Sequence, residues 1–148
     1  MIRKLLATDN DVIALVLRLT LGIVMFPHGA QKLLGWFGGS GFGGTMAAFT
    51  GMGMPAPLVF LIIMAESFGA VMLILGLAGR FAAFGIACVM TGAALMVHAQ
   101  HGFFMNWFGQ QKGEGFEYHL LALGIAIALM IRGSGALSLD QSLAKRLR

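Results

Sequence analysis

The stretch Val12–Leu33, VIALVLRLTLGIVMFPHGAQKL, decides the fold. It meets the requirement of roughly 20 mainly apolar residues for crossing a hydrocarbon core. Water-free hydrocarbon leaves exposed backbone groups unsatisfied, so a single such segment must be helical. Two further stretches, Pro57–Leu77 and Phe81–His98, have the same character, and a shorter one runs from about Phe116 to Ile131. The composition agrees: 58% of the chain is hydrophobic and only 11% charged, against about 25% in soluble domains. Mean hydropathy is +0.85. These numbers predict an all-α integral membrane protein, a four-helix bundle formed by one domain spanning 1–148.

The N-terminal segment combines basic and apolar residues, but Asp9, Asp11 and Arg18 interrupt it and no small-residue cleavage site follows. It is read as the approach to the first span and not as a signal peptide. Four spans place both termini on one side. Arg3, Lys4, Arg80, Arg132, Lys145, Arg146 and Arg148 fall on that side, whereas Lys32 and Lys112 fall on the other. Positive charge marks the cytoplasmic face, so the expected location is the inner (plasma) membrane with both termini cytoplasmic. The formal charge of +4 then reflects topology, and a nucleic-acid partner is not expected. The partners expected are the lipid bilayer and a redox subunit, and glycine-rich helices permit a homo-oligomer without requiring one.

Two charges lie where a bilayer disfavours them. Arg18 sits about two turns into the first span and Glu66 near the centre of the second. An ionised group at the midplane costs about 2.5–3.5 kcal/mol on insertion scales, so each needs a partner or a wet cavity. The two differ in depth by roughly 7 Å, which predicts an Arg18–Glu66 pair. Such a pair serves either to fix helix register or to handle protons and anchor a ligand.

Arg18, Gly22, Met25, Gly29 and Lys32 share one helical stripe, which should face the bundle because small residues let membrane helices approach closely. Pro27 removes a hydrogen bond to Ile23 and should bend the helix before His28. All four histidines, His28, His98, His101 and His119, fall at the outer level, together with Gln31, Lys32, Trp36, Asn106, Trp107, Glu117 and Tyr118. Aromatic and basic residues there also serve as interface anchors.

No C-x-x-C-H, H-E-x-x-H or dense carboxylate set is present, so no metal site is predicted and haem or metal ligation ranks below a neutral amphipathic ligand. A quinone fits best, with its tail between helices and its oxygens held by histidine, glutamine or lysine. The loop GGSGFGG lacks the context of a phosphate loop and is read as a flexible linker with weak turn structure. The single cysteine, Cys88, excludes an intramolecular disulfide and reads as a packing residue.

Three segments, LRLTLGIVMFPHGAQKLLGW, AESFGAVMLILGLAGR and GFEYHLLALGIAIALMIRGSGALSLDQ, occur in the order and spacing that resemble the DoxX family of small four-helix membrane proteins. The resemblance carries over Arg18, Gly22, His28–Gly29, Lys32, Glu66, Gly69, Gly76, Arg80, Glu117, Tyr118 and the tail ending at Asp140. In that tail, Ser138 to Asp140 should cap a short helix.

The resemblance implies a membrane component associated with oxidoreductases and quinone-linked electron transfer, which makes it a candidate subunit of a quinone-linked oxidoreductase. The expected catalytic residues are Glu66, Arg18 and His28. The expected cofactor-binding residues are His28, Gln31, Lys32, His98, Glu117 and His119. The alternative is a non-catalytic accessory or assembly subunit that docks a partner through its aromatic loops. One cysteine and no flavin or iron–sulfur motif mean that electrons would come from a partner.

Overall fold

The computed structural model describes residues 6–146; Arg3, Lys4 and Arg148, which enter the charge asymmetry, lie outside them. Among the described residues the protein is all-helical. Its helices are α1 (Val12–Leu34), α2 (Gly41–Gly51), α3 (Ala56–Leu75), α4 (Gly79–Ala93), α5 (Glu117–Arg132) and α6 (Leu139–Arg146). α4 continues through a π-helical turn, Ala94–His98, and a 3-10 turn, Ala99–His101.

Three helices, Val12–Leu34, Ala56–Leu75 and Gly79–His101, are long and apolar enough to cross a membrane, and the protein is a multi-pass membrane protein. α5 has 16 residues, about 24 Å of helix, which is shorter than the usual span.

α1 begins where the Asp11 carboxylate accepts from the backbone N–H groups of Ile13 and Ala14, at 2.8 and 3.2 Å. This is an N-cap that satisfies donors the helix itself cannot. The helix ends at Gly35, whose φ of 74° is left-handed. It remains one continuous element across Pro27. The second half of the glycine-rich stretch expected to be a flexible linker opens a helix instead, from Gly41 onward. Tertiary packing overrides its poor propensity: buried Thr45 donates to the Lys32 carbonyl at 3.2 Å, and Phe42 meets Phe60 edge-on.

The four longer helices pack side by side, α1 against α3 and α5, and α4 against α3 and α5. Lipid offers little hydrophobic force between helices, so close backbone approach does the work. Arg18, Gly22, Met25 and Gly29 are buried in α1 as the stripe predicts. A Cβ at Gly29 would stand 2.5 Å from Ser67 Cα and 2.6 Å from the Glu66 carbonyl. Ser67 donates to the Gly29 carbonyl at 3.0 Å across the same seam. Ile63, Leu73, Ile86 and Leu129 fill the interior.

At one end the chain is tied together by Arg18, and the expected pairing with Glu66 does not form. The guanidinium donates to five carbonyls: Ser134 at 2.8 Å, Leu73 at 2.9 Å, Ile74 at 2.6 Å, Ala136 at 3.1 Å and Leu137 at 2.9 Å. An arginine has five N–H donors, and all are used. The reason is helical termination: the last carbonyls of α3 lack the usual i+4 donor, and Arg18 bonds those of Leu73 and Ile74 there. Gly76 ends α3 at φ 64°, and a Cβ there would lie 2.5 Å from the Ser138 side chain and 3.0 Å from Arg18 Cζ.

Ser138 Oγ accepts from Gln141 N–H at 3.2 Å and caps α6 as expected. Asp140 instead caps α4, accepting from the N–H groups of Ala78 and Gly79 and from Ser134 Oγ, at 2.6, 3.0 and 2.5 Å. Arg80 donates to the Met130 and Ile131 carbonyls that close α5. Arg132 pairs with Asp11 at 2.5 Å.

Candidate functional site

At the opposite end, a cavity of about 870 Å³ opens between the helices, within the range of small-molecule sites. α1 contributes His28 and, one turn on, Lys32; α3 contributes Glu66 and α5 contributes Tyr118 and His119. The π-helical turn of α4 delivers His98. Such turns add a residue to the helical repeat and are frequent at functional sites.

Lys32 and Glu66 form an ion pair across the α1–α3 seam, with side chains 21% and 5% exposed. The pair gives the carboxylate the partner it requires away from water, and both residues line the cavity. His98 and His119 lie with ring centroids 4.2 Å apart and planes tilted by 39°. His98 Nδ1 is 2.8 Å from the Glu114 carbonyl. A carbonyl only accepts, so Nδ1 is the donor in this contact, and in the neutral form of such a ring Nε2 is an acceptor.

His119 is 5% exposed, and its Nδ1 is buried with no hydrogen-bond partner among the described residues. Tyr118 contacts both neighbours, its ring centroid 6.4 Å from that of His28 and 5.4 Å from that of His119. Among the described residues its hydroxyl meets only the thioether of Met25, at 3.6 Å, a weak acceptor. Strong polar groups with weak partners, or none, are therefore concentrated here.

The structure brings together His28, Lys32, Glu66, His98 and His119 from the set expected to form the site. Three others lie elsewhere. Arg18 is at the far end with every donor used. The Gln31 amide donates to the Phe37 carbonyl at 3.2 Å, closing the turn after α1. Glu117 accepts from Met105 N–H and Trp107 Nε1, at 2.8 and 3.1 Å, and so shapes the loop before α5. His101 packs against Gly113, and the Asn106 side chain exchanges hydrogen bonds with the Gln111 backbone.

The methionines are what sequence reasoning missed. Met25, Met52, Met54, Met64, Met72, Met90, Met96 and Met105 all line the cavity, out of eleven in the chain. Their number was visible in the sequence, but their convergence was not.

A protein of Bacillus subtilis (strain 168) named "Putative oxidoreductase CatD" is 32% identical over 126 residues, covering 85% of this chain and 83% of its own. No solved structure matches the chain. The DoxX family model matches residues 13–99, from the start of α1 to just past His98, and the chain belongs to the DoxX family.

Proposed function

We propose that this DoxX protein binds the head group of a quinone at the polar end of the cavity and serves quinone-linked electron transfer in the plasma membrane. The observation that carries the reading is the buried, unpartnered Nδ1 of His119 beside a Lys32–Glu66 pair and a weakly bonded Tyr118 hydroxyl. Quinone oxygens accept hydrogen bonds when oxidised and donate them when reduced. A wall holding both donors (Lys32, Tyr118) and acceptors (Glu66, the free nitrogen of His98) serves both forms.

Within this reading, Glu66 exchanges the proton and Lys32 holds its charge in place, while His28 and His119 orient the head group. Electrons pass to or from a partner protein. The relative named as an oxidoreductase supports the general class. α5 is taken as a fourth, short span, which puts both termini in the cytoplasm by the positive-inside rule and the histidine end at the outer face.

The test is extraction of the purified protein and mass spectrometry of what co-purifies. The reading expects a near-stoichiometric quinone that is lost on His28→Ala or Glu66→Gln while the protein remains folded. Wild-type protein free of quinone, taken from membranes rich in it, would overturn the reading.

A second reading rests on the aromatic loops: Trp107 is 77% and Phe108 87% exposed. They would dock a partner protein as an accessory or assembly subunit. Loss of complexes on Trp107→Ala, with quinone content unchanged, favours this reading.

A further inference from the structure

The cavity is long as well as polar at one end. Its lining extends from Leu58 to Met72 on α3 and from Phe81 to His98 on α4, about 21 and 25 Å of helix. Away from the polar groups the wall is almost wholly apolar, and eight methionines are distributed along the lining, Met72 and Met90 among those on α3 and α4. Unbranched thioether side chains adapt to irregular or flexible apolar partners.

The cavity also has a side opening. α3 and α4 touch where Gly69 meets Ile86 and where Ala65 faces Gly85, but Gly92, nearer the histidines, has no neighbouring atom within 4 Å of where its Cβ would stand. The mouth is rimmed by Leu61, Phe84 and Met96, which are 60%, 53% and 64% exposed. These residues lie on helices apolar enough to span a membrane, so the mouth faces hydrocarbon.

We infer that the ligand carries a long apolar tail, enters sideways from the bilayer between α3 and α4, and lays that tail along the methionine-lined slot. The inference rests on the quinone reading of the polar end and narrows it to the lipid-dissolved pool, as opposed to small quinones arriving from water. Cys88, the single cysteine, is exposed on the slot wall and serves as a reporter.

The experiment uses the full chain in nanodiscs and two fully ring-substituted benzoquinones, which cannot alkylate a thiol: one without a tail and one with a long isoprenoid tail. Binding is read by mass spectrometry of the intact complex, and occupancy of the slot by the rate at which a lipophilic maleimide labels Cys88. The inference expects both quinones to bind but only the tailed one to block labelling. Gly92→Leu, which fills the slot and favours the helix, should abolish tailed binding and spare tail-less binding.

If both quinones bind, labelling is unaffected by either and Gly92→Leu changes nothing, the inference falls and the quinone reading stands. If neither binds, both fall. If phospholipid alone blocks Cys88 as well as the tailed quinone does, the slot is a lipid groove and the inference is overturned.

Discussion

The two ends of this small protein use polar residues in opposite ways. At the arginine end most donors are matched: Arg18 serves five carbonyls, and Asp140 takes up two backbone N–H groups and a serine hydroxyl, while Arg80 Nε is the one buried side-chain donor left without a partner among the described residues. At the histidine end polar groups converge on open space, with His119 Nδ1 unpaired and Tyr118 bonded only to sulfur. A buried polar group without a partner costs about 1–3 kcal/mol, so the second end is incomplete by itself. Satisfied networks hold a fold in place, whereas incomplete ones mark where a ligand completes it.

The largest predicted effect tests the satisfied end. Arg18→Gln keeps at most two donors for five carbonyls and should cost at least ~3 kcal/mol, read as a fall in the unfolding midpoint in mixed micelles. An unchanged midpoint would mean that water or lipid headgroups replace the guanidinium and that the contrast between the ends is false.

A smaller effect of opposite sign is expected at the other end. His119→Phe removes the unpaired nitrogen while keeping an aromatic ring against Tyr118, and should raise stability by about 1 kcal/mol while abolishing quinone retention. A loss of stability there would show that His119 is a structural histidine.

These opposite signs bear on what could be read from the chain. Hydropathy located the four longer helices to within a few residues, and the stripe through Gly22 and Gly29 identified the face of α1 that turns into the bundle, because backbone satisfaction and close approach are properties of sequence spacing. The partner of Arg18 was not legible. Spacing gives depth along a helix, but a candidate carboxylate stands out in a sequence and the free carbonyls at a helix end do not.

The same limit hid the ion pair between Lys32 and Glu66, although both residues were singled out. The helix at Gly41–Gly51 was missed because its stability lies in contacts with α1 and α3, not in its own residues. The π-turn that presents His98 has no sequence signal here. Gln31 and Glu117 had suitable chemistry at a suitable depth, and only the loop geometry shows that their hydrogen bonds are already committed.

The smallest effect sharpens the comparison at the surface of the arginine end. The Arg132 hydrogen bond, followed by that from Ala14 N–H, holds the Asp11 carboxyl below its ordinary value of 3.8. A carboxylate held low contributes stability above the unfolded value, and this is lost as pH falls through the folded one. Wild type should therefore exceed Asp11→Asn in thermal midpoint at neutral pH, with the gap closing below about pH 4. A pH-independent gap would assign the effect to capping geometry and not to charge.

The central claim, that the histidine end is finished only by its ligand, is tested most directly by one thermal measurement. The midpoints of wild type and His119→Phe are compared with and without a saturating long-tailed quinone. A ligand that binds only the folded state raises its midpoint, so wild type should start lower and rise, while the variant should start higher and stay where it is. Equal shifts in both proteins, or none in wild type, would contradict the account.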